Sequence, residues 1–216
     1  MRRDVRVVLL ALPAVSLLLG AACGGSTPTE AVSSAPICRD RADFGDPAAS
    51  SYVLPYPVGT TYPVLQSYCG PGSHSRDSQL AYDFLMGFGD DVVAARDGLV
   101  TRVVNHWTDD DKDGSHFNFL NILHEDGTEA FYAHFQHQGI SVEVGQSVST
   151  GERLGAIGES GTPTTCAFGE CGVLHFGVYR GQGGGADLPV NFRNAEGPLD
   201  DRGGLRLSTT YAALPY

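Results

Sequence analysis

The sequence predicts a mostly β, single-domain protein, and three observations carry that prediction. Beyond residue 90 apolar and polar residues alternate with a period of two, the spacing that sends successive side chains to opposite faces of a strand. Gly or Asp-Gly pairs separate short runs, as turns between strands require. Helix signals are nearly absent.

Taken along the chain, Val92–Ala95 and Leu99–Val104 flank Arg96-Asp97-Gly98 and read as a hairpin on an Asp-Gly turn. Phe117–His124 and Glu129–Phe135 flank Glu125-Asp126-Gly127-Thr128 and read as a second. Alternation in Phe131–Phe135 puts Phe131, Ala133 and Phe135 on one face and Tyr132 and His134 on the other. In Val173–Tyr179 it sends Leu174, Phe176 and Val178 to the core and Val173, His175, Gly177 and Tyr179 the other way.

The 216 residues leave room for one domain with a proper core once a leader is removed. Arg2, Arg3 and Arg6 precede the apolar run Val7–Leu19, too short to span a bilayer, so residues 1–22 are expected to be a secretory signal. Leu19-Gly20-Ala21-Ala22-Cys23 places Cys23 where a lipoprotein signal is cut, so lipidation there and a membrane anchor are expected, with ordinary signal cleavage nearby as the alternative. Residues 23–37 are small, polar and proline-containing, a tether. The folded domain is expected over 38–216. An exported, lipid-anchored protein of the bacterial cell envelope follows, with a monomer expected.

Apart from Cys23 the cysteines are Cys38, Cys69, Cys166 and Cys171, an even number in an exported chain, which argues two disulfides. Proximity favours Cys38 with Cys69 and Cys166 with Cys171. A formal charge of −11 excludes nucleic acid as a partner, since phosphate binding needs a clustered basic surface. Asp109, Asp111, Asp113 and Gly114 form the start of a calcium loop, but Leu120 stands where the closing acidic residue belongs, so a solvated acidic loop is the favoured reading.

Four stretches carry a resemblance. AYDFLMGFGDDVVAARDGLVTRV, FNFLNILHEDGTEAFYAHFQ, GISVEVGQSVSTGERLGAIGESG and VLHFGVY follow one another between about Tyr52 and Phe192. In that order the chain resembles the lysostaphin-type zinc endopeptidases of family M23, the LytM domain. The resemblance implies a twisted antiparallel sheet with a groove on one face, a core of about 52–192, and Zn2+ held by His74, Asp83 and His175. Two imidazoles and one carboxylate leave a fourth position open, the catalytic rather than the structural form of a zinc site. His134, in the family's Tyr-x-His place, is the implied catalytic residue, with Tyr68 as a hydroxyl donor to the developing oxyanion.

Two departures stand out. Eight residues separate His74 from Asp83 where the family has a short His-x-x-x-Asp, as in long-loop members. In the closing His-x-His motif the first place is Val173, which can neither relay a proton nor donate a hydrogen bond. The expected function is zinc-dependent hydrolysis of peptide bonds in peptidoglycan, attenuated by Val173. The alternative is a catalytically silent zinc module that binds peptidoglycan or regulates another cell-wall hydrolase. His106, His116, His124 and His137 read as ordinary polar positions, with His137 a distant substitute for the missing partner.

Overall fold

The computed structural model describes residues 38, 42–70, 72–74, 78–161 and 169–216. The expected signal segment, the Cys23 anchor, the tether and Cys166 lie outside them. Among the described residues the alternating pattern forms strands Thr61–Gln66 (β1), Tyr82–Gly87 (β2), Asp91–Val93 (β3), Gly98–Val104 (β4), Asn118–Leu123 (β5) and Thr128–Ile140 (β6). Ser147–Val148 (β7), Arg153–Ile157 (β8), Cys171–Arg180 (β9), Asp187–Leu188 (β10), Ala195–Glu196 (β11) and Thr210–Ala213 (β12) complete them. The order is β11-β12-β1-β2-β9-β6-β5-β4-β7, with β10 on β9 and β8 on β3 and β6. The fold is thus mostly β, one open antiparallel sheet.

Register explains which side chains meet. Tyr82 lies opposite Phe176 and Phe84 opposite Leu174, while Tyr132 lies opposite Phe176 from the other side. These residues share one face and are fully buried. The buried tyrosine hydroxyls are satisfied: Tyr56 donates to the Tyr211 carbonyl at 2.9 Å, and Tyr132 accepts from the Ala95 N–H at 2.9 Å. The C-terminal residues belong to this core, since Phe192, Leu205 and Tyr211 are buried in it and β12 pairs with β1. Cys38 and Cys69 are joined by a disulfide, and Cys171 is disulfide-bonded as well.

The β5–β6 hairpin forms with its turn at His124–Gly127, the His124 N–H donating to the Thr128 carbonyl. The other expected hairpin does not. β3 pairs with β8, and β4 pairs with β5 and β7. Gly98 is used for close packing instead of for a turn: a Cβ there would lie 2.5 Å from the Ile122 side chain and 2.6 Å from the Leu123 carbonyl oxygen. Alternation in β6 is also shifted from the sequence reading. Phe131 and Ala133 face the groove side with Gly177 and His175, and Tyr132 faces the core.

His124 is buried beside this turn, its ring edge-on to Tyr52 at 5.4 Å. Nδ1–H donates to the Asp97 carbonyl at 2.7 Å, while Nε2 has no hydrogen-bond partner among the described residues. Burial pushes its pKa below the ordinary 6.5, against the Asp97 hydrogen bond and with help from Arg96. The unfolded chain therefore binds this proton more readily than the fold. Stability from the neutral ring is complete above pH 6.5 and is lost as pH falls below it. Melting temperature is expected to drop from pH 7 to pH 5 in the wild type and to drop less in His124→Gln; equal drops would show that His124 does not titrate with folding.

Candidate metal centre

Asp83 on β2 lies directly across from His175 on β9, and β9 in turn lies across from Ala133 on β6. His74 comes from the segment between β1 and β2. The Asp83 Oδ1 atom is 3.0 Å from His74 Nε2 and 2.8 Å from His175 Nδ1. One donor atom from each residue fits within 4.8 Å, and all three residues are buried. Burial alone would raise the Asp83 pKa, but hydrogen bonds from His175 and His74, with their charges, hold it well below the usual carboxylate range.

The donor set fits a zinc ion. His74 Nδ1 lies 3.0 Å from the Ser67 carbonyl, which can only accept, so that nitrogen carries the proton. That leaves Nε2 as the nitrogen that can give up the proton it donates to Asp83 and bind a cation in its place. A carbonyl that fixes the tautomer in this way is the usual support of a ligating histidine.

His134 reaches this face by a route that alternation does not show. β5 and β6 shift register where Asn118 meets Phe135 and Phe119 meets Ala133, leaving His134 as the extra residue of a bulge at φ 72°. A non-glycine residue in the left-handed region is strained, and such strain gathers at functional sites. The bulge turns the ring into a cavity of about 690 Å³ that Asp83, His175 and Val173 also line. The ring centroids of His134 and His175 are 6.4 Å apart. His134 Nδ1–H donates to the Ser160 carbonyl at 2.8 Å, leaving Nε2 unprotonated. Burial first, and the His175 charge after it, push its pKa down to about 4 against that hydrogen bond.

The remaining expected residues lie elsewhere. Tyr68 is buried against Phe44, its hydroxyl bonded to Asp200, and lines a different cavity. It is not placed to donate to an oxyanion at the triad, because the core takes its ring. His137 is exposed, with Nδ1 3.3 Å from the Trp107 carbonyl, and does not replace the partner missing at Val173. The carboxylates of the acidic loop are used locally: Asp109 accepts from the N–H groups of Glu159 and His137, Asp111 from the Asp113 N–H and the His116 ring, and Asp113 from the Ser115 N–H and hydroxyl. They are not among the residues whose donor atoms converge as a metal-binding group.

Sequence reasoning missed what this loop does. Gly114, Phe117 and Gly161 line the cavity together, with Gly161 packed against Phe117. Lys112 ties the loop to Glu159, with Nζ donating to the Asp109 carbonyl at 2.6 Å and lying 3.0 Å from Glu159 Oε2. That approach is an ion pair off hydrogen-bond alignment, and it compensates a carboxylate with no solvent access. The orienting carbonyls of Ser67 and Ser160 could not be read from sequence, because any residue supplies a carbonyl.

Comparison with known proteins places this geometry. Residues 78–188, more than half of the chain, match the family model for peptidase family M23. Pseudoalterin, a novel M23 metalloprotease from the deep sea, is similar at TM-score 0.50 and 17% identity, over 76% of this chain and 96% of that one. The catalytic domain of EnpA, a prophage-encoded M23 protein of Enterococcus faecalis, aligns at 0.46 and 22%, over 63% and 94%. A zinc-containing peptidase of Vibrio cholerae aligns at 0.41 and 22%, over 69% of this chain but 41% of that one. No curated protein matches. Since the matched segment carries the three strands that bear Asp83, His134 and His175, the chain belongs to peptidase family M23.

Proposed function

We propose that the chain is a zinc-dependent endopeptidase that hydrolyses peptide bonds in peptidoglycan, working at the cell envelope from a lipid anchor on Cys23. The observation that supports it is the convergence of His74, Asp83 and His175, with Asp83 and His175 lining the same cavity as His134. When bound there, zinc would supply a Lewis acid for the scissile carbonyl and bring the ionisation of water towards neutral pH. The chain's own part is proton handling. His134 is neutral near pH 7, held in one tautomer by the Ser160 carbonyl, and accepts a proton at Nε2 before passing it to the leaving amine. Phe117, whose ring lies 5.5 Å from that of His134, and Phe131 give the same cavity an apolar lining.

Val173 sets the rate. It lies on the same face as His175, is buried, and lines the cavity, so the second imidazole of the family's pair is replaced by a side chain with no proton to give. The same valine favours a second reading, a zinc-containing module that binds peptidoglycan without cleaving it. Metal analysis together with release of new amino groups from purified peptidoglycan separates the two. Wild type and Val173→His are both expected to carry one zinc, with release faster by about 10²-fold in the variant. Zinc without release from either protein would favour the silent module, and absence of zinc from both would sink the site.

A further inference from the structure

The groove face continues past the metal ligands as a row of aromatic side chains. Phe131 lies 5.9 Å from the His175 ring, Phe119 lies 5.3 Å from Phe131, and Phe117 lies 5.6 Å from Phe119. Tyr179 adds a further ring 6.4 Å from Phe131. These rings lie outside the main core cluster, whose Leu120, Tyr132, Phe176 and Val178 occupy the other face of the same strands. Phe119 and Tyr179 are buried, while Phe117 and Phe131 keep part of their surface open, and apolar surface left open beside a metal site is suited to an apolar occupant.

The space above the row is continuous with the metal site. A second cavity of about 520 Å³, lined by Phe119, Asn121 and Tyr179, shares Ser78, Phe117 and Phe131 with the cavity of the metal ligands. At the far end the Arg102 guanidinium lies across Phe119 at 4.7 Å. Asn121 is held there by Glu129 through Nδ2, and its Oδ1 has no partner among the described residues.

We propose that this row is a subsite that takes a bulky apolar or aromatic side chain of the peptide substrate, beside the bond that is cut. The inference rests on the peptidase reading and narrows its substrate class: a strand of glycines leaves the row uncovered, whereas an aromatic or leucyl side chain covers it. Rings packed in offset and edge-to-face arrangements hold such a side chain well, and a filled apolar pocket discriminates by about 10- to 200-fold.

The test compares pentaglycine with the same peptide carrying one phenylalanine or leucine, by kcat/KM from amino-group release, in zinc-loaded wild type, Phe119→Ala and Phe119→Leu. Wild type is expected to prefer the apolar peptides by at least about tenfold, with the ratio collapsing in Phe119→Ala and partly kept in Phe119→Leu. Thermal melting of the variants shows whether they fold. Equal or faster cleavage of pentaglycine by the wild type, or a ratio unmoved in a folded Phe119→Ala, overturns the subsite. Should the wild type cleave none of the peptides, the peptidase reading fails and calorimetric binding decides the subsite separately: tighter binding of the phenylalanine peptide, weakened by Phe119→Ala, sustains it, and equal binding of all three removes it.

Discussion

Asp83→Ala is expected to empty the metal site and to lower peptide hydrolysis by about a thousandfold or more. Asp83 supplies the single negative charge among the three donors, and hydrogen bonds from both histidines keep it ionised through the ordinary pH range. Without it two imidazoles from different segments face a dication with no charge compensation. Loss of a metal's several kcal/mol of charge stabilisation in the transition state corresponds to about three decades in rate. Asp83→Asn retains the shape and one acceptor, and is expected to lose most of the metal as well. Metal content of the purified variants, measured beside amino-group release, checks this. An Asp83→Ala protein that keeps one tightly bound zinc would show that the ligand set is different.

The second large effect concerns His134. His134→Ala is expected to lower kcat by about 10²- to 10⁴-fold while metal content stays at the wild-type level. Parallel loss of metal would assign His134 to the ligands instead. The backbone at this position adds a second, independent readout. At φ 72° an L side chain is strained by about 1–2 kcal/mol, and glycine is not. His134→Gly is therefore expected to be more stable than His134→Ala by about 1 kcal/mol, the reverse of the ordinary order in a strand. Both variants lose the imidazole and the Ser160 hydrogen bond, so their difference isolates the backbone. Denaturant unfolding of the pair reads it, and an alanine variant at least as stable as the glycine one would mean that the bulge relaxes at no cost.

Much of this site was legible before the fold was known. The resemblance carried by the four stretches pointed to His74, Asp83 and His175, and the fold brings these three into one cluster. Alternation placed Val173 and His175 together on the groove face of β9, and the Asp126-Gly127 turn announced the β5–β6 hairpin. Other parts were hidden for physical reasons. A bulge changes the parity of every residue beyond it, so alternation put Phe131 and Tyr132 on the wrong faces and reached the groove side for His134 by an incorrect path. Gly98 resembled a turn residue because glycine also serves close packing, and composition cannot separate the two uses. The role of the segment after Tyr179 depended on long-range pairing, which leaves no local signature.

That last segment bears on where the working unit stops. The stretch recognisable by family likeness finishes at residue 188, whereas Phe192, Leu205 and Tyr211 fill the interior beneath β2 and β9, the strands that carry Asp83 and His175. The Ser67 hydroxyl donates to the Leu205 carbonyl, and the Ser67 carbonyl accepts from His74, so a residue far downstream steadies a ligand far upstream. Grafting the catalytic piece onto another carrier therefore requires the closing residues to travel with it, because a cut drawn at the edge of recognisable similarity would remove the wedge that keeps the ligands in register.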